Sequence, residues 1–174
     1  TGAYPTLGTD VYKPAMGANV LGMTVLAKYN DEGGWRGYIK YYSTIIYDNN
    51  QESLPIEFHD VDSRYSSATK RFHIFYDAAT GAITNKRITG ARIYWREVDS
   101  AYKPYGDLYL LFEVDHIHGV RKNVADDWVG WVDNTHEDGT GASGSGSTDT
   151  GAVATSTYLE LNTKPRTEVY GARS

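Results

Sequence analysis

Trp35-Arg36-Gly37-Tyr38-Ile39-Lys40-Tyr41-Tyr42-Ser43-Thr44-Ile45-Ile46-Tyr47 carries apolar or aromatic side chains at both odd and even positions. Successive residues of a strand face opposite sides of its sheet, so a run apolar on both parities reads as a central strand covered on both faces. A helix over the same residues would lack a cap and be crowded with β-branched and aromatic side chains. Turn-forming segments bound the run, Asn30-Asp31-Glu32-Gly33-Gly34 before it and Asp48-Asn49-Asn50 after it. A central strand needs partners on either side, and the flanking sequence supplies them.

Residues 19–29 suit a strand. Leu54-Pro55-Ile56-Glu57-Phe58 reads as a short edge strand, because proline cannot donate to a ladder. Residues 59–69 are polar and read as a loop. Residues 70–76 alternate, with Phe72, Ile74 and Tyr76 on one side and Arg71 and His73 on the other. Asp77-Ala78-Ala79-Thr80-Gly81 is a hairpin-type loop. Residues 91–97 set Ile93 and Trp95 against Arg92, Tyr94 and Arg96. Residues 106–115 set Leu108, Leu110, Phe112 and Val114 against Tyr109, Leu111 and Glu113. Further strands are expected at 128–132 and 157–161, and a helix longer than a turn or two only near 124–128. Many short strands separated by polar turns predict an all-β, antiparallel β-sandwich.

The chain divides into an extended N-terminal arm (1–18, with turn formers Pro5, Gly8, Pro14 and Gly17), a sandwich domain (19–138), a flexible Gly/Ser-rich linker (139–151), and a C-terminal strand and tail (152–174). At 174 residues, 40% of them hydrophobic, this is one domain with enough apolar material for its own core. No apolar run approaches the length of a membrane span. The stretch 20–27 lacks the basic flank of a signal peptide. A formal charge of −5, with no basic cluster longer than the pairs Lys70-Arg71, Lys86-Arg87 and Arg121-Lys122, argues against a nucleic-acid partner. The absence of cysteine removes disulfides, thiolate metal sites and cysteine nucleophiles. No cofactor is expected.

Two segments resemble parts of fibronectin type III-like domains. Residues 38–48, followed by Asn50-Gln51-Glu52-Ser53-Leu54-Pro55, resemble the late strand, turn and Glu-Ser exit of such modules. Thr89-Gly90-Ala91-Arg92-Ile93-Tyr94-Trp95-Arg96 and Leu108-Tyr109-Leu110-Leu111-Phe112-Glu113-Val114 resemble their middle strands. The matching runs cover about a quarter of the chain, in an order that differs from a single module. The style is similar to structural and fibre proteins of tailed bacteriophages. The resemblance implies a fibronectin-like sandwich, with a jelly-roll-like one as the alternative. It also implies a non-catalytic structural role in a virion; the alternative setting is an extracellular or cell-surface filament.

The candidate sites follow from residue chemistry. Tyr4 and Tyr12 in the arm, Trp128 and Trp131, and Tyr158, Leu159 and Leu161 beyond the linker are expected at interfaces with other copies or other structural proteins, through strand exchange. His116 and His118 would share one face of a strand, so both could reach a metal, with Asp126, Asp127 or His136 completing the set. Tyr41, Tyr42, Tyr102 and Tyr105 could line a platform for a host-surface glycan, since Tyr combines an apolar face with a polar tip. Glu57, Glu97, Glu113, Asp115 and Asp127 are eligible for a glycosidase pair, although no spacing selects two of them. A serine-hydrolase elbow, a phosphate-binding glycine loop and an EF-type calcium loop are all missing.

Overall fold

A computed structural model describes residues 11–16, 19–29, 33–62, 67–77, 87–131 and 153–173. Ten strands follow in order: β1 (Val11–Met16), β2 (Asn19–Tyr29), β3 (Tyr38–Tyr47), β4 (Gln51–Glu52), β5 (Ile56–Asp62), β6 (Ala68–Asp77), β7 (Ile88–Val98), β8 (Tyr109–Asp115), β9 (Gly119–Arg121) and β10 (Val153–Leu161). They form two antiparallel sheets packed as a sandwich. One has four strands in the order β1-β2-β6-β10. The other has six, in the order β4-β3-β7-β8-β9, with β5 beside β4 on the free side of β3. No helix occurs among the described residues: near 124–128, where one was considered, residues 123–126 make a single hydrogen-bonded turn, and no described helix could cross a membrane.

The deciding run behaves as its composition demands. Ile39, Tyr41 and Ser43 point between the sheets, while Thr44 and Ile46 on the opposite face are also buried. β3 is central, between β7 and the β4–β5 edge. Residues 11–16 of the segment expected to be an arm pair with β2 of the same chain, with Val11 opposite Met23. Residues 1–10, including Tyr4, and the linker 139–151 lie outside the described residues. The segment likened to a late strand is third in the chain, and those likened to middle strands are seventh and eighth.

The core is organised around aromatic rings meeting edge to face or tilted. Phe72 of β6 packs against Trp35 (5.7 Å), Tyr41 (5.9 Å) and Phe112 (6.0 Å), and Trp35 packs against Trp95 (5.7 Å). Trp35 sits on the crossing from β2 to β3, where its main-chain N–H donates to Ala68 and its indole N–H to the Leu161 carbonyl, each at 3.1 Å. Gly33 makes that crossing fit: a Cβ there would lie 2.0 Å from the Ala68 carbonyl carbon.

Two sequence expectations change inside the sandwich. The pair Lys70-Arg71 is split by strand alternation, and Lys70 points inward with 2% exposure. Its ammonium donates to the Tyr41 hydroxyl at 3.0 Å and lies 4.8 Å from the centre of the Trp35 ring. In β8 the register shifts by one residue: Phe112 pairs with Ile93 but Leu110 with Tyr94, leaving Leu111 as an extra residue. The strand therefore changes faces there. Phe112 and Val114 reach the core as expected, but below the shift Leu111 and Tyr109 replace Leu110 and Leu108.

Because Phe72 touches three of the core rings, Phe72→Ala should destabilise the fold by about 3–5 kcal/mol. Urea unfolding followed by tryptophan fluorescence measures this; a loss well under 1 kcal/mol would contradict the packing.

Candidate functional site

The outward face of the six-stranded sheet carries a ladder of charged side chains on β4, β7, β8 and β9, with Thr44 of the intervening β3 opposite Arg92. Arg92 (β7) and Glu113 (β8) stand opposite each other in the register, Glu113 stands opposite Arg121 (β9), and Glu52 enters from β4. The Arg92 guanidinium donates to Glu52 at 2.7 Å, and its Nε lies 3.7 Å from Glu113. Glu113 also accepts from Arg121 at 3.2 Å and from Arg173 at 2.9 and 3.0 Å, so three guanidinium groups surround one carboxylate. Thr44 and Tyr94 donate their hydroxyls to Glu52. The side chains of Arg92 and Glu113 are each only 8% exposed.

The cover over this face comes from the C-terminal segment. The Leu110 N–H donates to the Glu168 carbonyl and the Tyr170 N–H to the Leu108 carbonyl, so the segment runs beside the first half of β8 as β9 runs beside its second half. The Tyr170 ring meets Tyr94 edge to face, and its hydroxyl donates to the Ser53 carbonyl. Arg173 links Glu168 to Glu113.

These contacts shift proton affinities in definite directions. Burial pushes the Glu113 carboxyl up, but Arg173, then Arg121 and Arg92, outweigh it and hold it below the usual carboxylate value. Burial, with the Glu52 carboxylate, raises Tyr94 far above a normal phenol. The hydrogen bond to Glu113 raises Arg173, against the opposing effect of burial.

Beside the ladder opens a cleft of about 320 Å³, lined by Asn49, Arg92, Glu113, Asp115, His118 and Trp128 among others. It contains one of the two expected metal ligands, but the pairing of His116 with His118 does not hold. β8 ends at Asp115, and residues 116–118 form a turn, so strand alternation no longer places both rings on one face. The Asp115 carboxylate accepts the N–H groups of Ile117 and His118 and lies 3.0 Å from His118 Nδ1. Gly119 closes the turn at φ 108°, a left-handed conformation suited to glycine. His118 stacks on Trp128 at 5.8 Å, while burial lowers the proton affinity of His116 despite the nearby Asp115. Among the described residues no group of three or more His, Cys, Asp or Glu side chains is placed to hold a metal ion; His136 lies outside them.

The other candidates are dispersed. Trp131 donates its indole N–H to the carbonyls of Asp115 and His116, and Arg121 lies 4.3 Å from the Trp128 ring centre. Val129 makes only an isolated bridge to Val120, where a strand over 128–132 was expected. Leu159 and Leu161 face the interior of this chain, and Tyr158 packs under the Arg71 guanidinium at 4.4 Å. Tyr12 lies in β1.

Of the four tyrosines considered for sugar, Tyr41 is fully buried and offers no surface. Tyr42 is half-buried with Arg96 over its ring. Only Tyr102 and Tyr105 are exposed together, on the β7–β8 loop. Among the carboxylates, Glu57 pairs with Lys40, Glu97 with Lys164 and Arg166, and Asp127 is exposed. Glu113 and Asp115 line the same cleft, and the arginines hold the Glu113 carboxyl below its usual value.

Sequence reasoning missed Glu52, Tyr170 and Arg173. The available signal was the turn at residues 48–50, which returns Glu52 beside Ile46 and within reach of Arg92. No family model, no curated protein and no solved structure matches the chain.

Glu113→Gln should cost about 3–5 kcal/mol, because it removes the charge on which three guanidinium groups converge. A carboxylate whose folded pKa lies below its unfolded value of about 4.3 stabilises fully above that value, and the benefit is lost as pH falls through the folded pKa. Stability measured from pH 7 downward should therefore drop in the acid range, and more shallowly in the variant. Parallel curves would argue against this role for Glu113.

Proposed function

We propose that the chain is a non-catalytic structural subunit that joins its neighbours by strand addition. The observation that carries this reading is the edge at β10. Among the described residues this nine-residue strand, Val-Ala-Thr-Ser-Thr-Tyr-Leu-Glu-Leu, pairs only with β6, and it contains no proline, glycine or lysine. Such residues normally blunt an edge against further pairing.

The other edges are protected. β1 contains Pro14 and a register shift, Pro55 precedes β5, and β9 is bridged by Val129. A partner strand on β10 would gain main-chain hydrogen bonds without rearranging the sandwich. Residues 1–10, which precede β1 and carry Tyr4 and Leu7, are the segment proposed to supply it from another copy. The resemblance to fibronectin-like modules of tailed phages favours a virion as the setting, and an extracellular filament is the alternative. Part of the strand order, β1-β2-β6 in one sheet and β3-β7-β8 in the other, is shared with immunoglobulin-like sandwiches, while β10 stands where those have an earlier strand and the segments likened to late and middle strands fall in the reverse positions.

Sedimentation and negative-stain imaging of the full chain should show rings, tubes or filaments, and removal of residues 1–10 should leave a folded monomer. A full chain that stays monomeric at all concentrations sinks the proposal. Polymers undiminished by the deletion would show that the added strand comes from elsewhere.

A further inference from the structure

The β7–β8 loop presents a second cleft, about 240 Å³, lined by Trp95, Glu97, Tyr105, Gly106, Asp107, Tyr109 and Arg166. It is far from featureless. The loop is locked by Asp99, whose carboxylate accepts the N–H groups of Ala101 and Lys103 and whose own N–H donates to the Lys103 carbonyl. Tyr102 is held at φ 66°, a conformation that bulky side chains rarely adopt, with its ring against Tyr38 at 5.8 Å. Strain of this kind persists only where the surroundings over-determine it.

Tyr105 is 66% exposed, yet it is pinned at both ends. Its main-chain N–H donates to the Glu97 carbonyl at 3.1 Å, and its hydroxyl donates to the Glu97 carboxylate at 3.2 Å. Its ring makes no aromatic or cation–π contact among the described residues. It is thus an aromatic face fixed in advance and open to solvent, so docking against it entails little ordering. By contrast, Trp128 in the larger cleft already carries His118 and Arg121 against its ring.

The polar groups around Tyr105 define what could dock there. Glu97 is occupied by Lys164 at 3.1 Å and Arg166 at 3.2 Å. Burial raises the Glu97 carboxyl, but Lys164, Tyr105 and Arg166 together bring it below the usual value, so it stays ionised. Asp107 makes no hydrogen bond or ion pair among the described residues, which leaves its carboxylate free to accept. Only one N–H group of Arg166 is engaged with Glu97, leaving others to donate. Two carboxylates are balanced by Arg166 at the rim and Lys164 behind it, so the cleft favours neither a cation nor an anion.

An open aromatic face beside balanced donors and acceptors matches a ligand with an apolar C–H face and several hydroxyls. We propose that this cleft binds a neutral saccharide. One sugar ring stacks on Tyr105, Asp107 accepts its hydroxyl protons and Arg166 donates to its oxygens. The site is separate from the β10 edge and does not rest on assembly by strand addition.

The test is retention of the labelled full chain on a printed array of neutral and of sialylated or sulfated oligosaccharides, with Tyr105→Ala and Asp107→Asn beside the wild type. Wild-type protein should be retained on neutral glycans. Each variant should bind about tenfold more weakly, the scale of a lost stack or a lost hydrogen bond to a charged group. Thermal unfolding should be unchanged in Asp107→Asn, whose carboxylate has no partner to lose. No retention on any sugar, retention on acidic sugars only, or equal retention by both variants would overturn the proposal.

Discussion

The indole of Trp35 is the pin on which the two sheets turn. It lies where the chain passes from one sheet to the other, and it is bonded through its backbone to the start of β6 and through its ring to the end of β10. Its faces and edges meet Phe72 of the four-stranded sheet and Trp95 of the six-stranded one. A flexible side chain at this position would fill space without fixing the sheets' relative placement, whereas a rigid ring with one donor fixes both. The positions of β10 and of the C-terminal segment that follows it depend on that anchor.

The chain also buries more charge than a sandwich of this size requires. Lys70 sits among the core rings, and Arg92 and Glu113 are almost wholly enclosed on the opposite side of the six-stranded sheet. Desolvating such groups is costly, and an ion pair recovers the loss only with good geometry and further hydrogen bonds. Here Glu52 and Glu113 each receive several donors, and the segment from Glu168 to Arg173 completes the set. A sheet face that would otherwise be solvated becomes a second, polar interior. Its geometry tolerates few alternatives, because each carboxylate matches donors from different strands.

The strands themselves were legible because alternation and turn residues are local signals. The both-faces reading of β3 and the facing of Phe72 and Ile74 against Arg71 follow from period-two patterning, and the edge character of the segment after Pro55 from proline's missing N–H. What escaped notice depended on distant partners. Leu111 looks like any alternating residue until the register against β7 shows that it is extra. Lys70 looks like half of a basic surface pair until Tyr41 and Trp35 are seen beside it. Residues 162–173 are polar enough to read as a tail, yet their polar groups are the partners of the sheet. Alternation does not pair His116 with His118 because the strand ends at Asp115, before either of them.

β10 completes its sheet at an edge, opposite a β6 that precedes it by scores of residues. Until it arrives, β6 offers an unsatisfied row of amide and carbonyl groups, from Lys70 to Asp77, to any strand of matching sequence. An identical β10 from a second molecule satisfies that row with the same side-chain contacts, including Leu159 and Leu161 in the core. Whether the bond is made within one molecule or between two is then a matter of effective concentration, set by the 132–152 connection. Reciprocal domain swapping is thus available to this fold without any new interface.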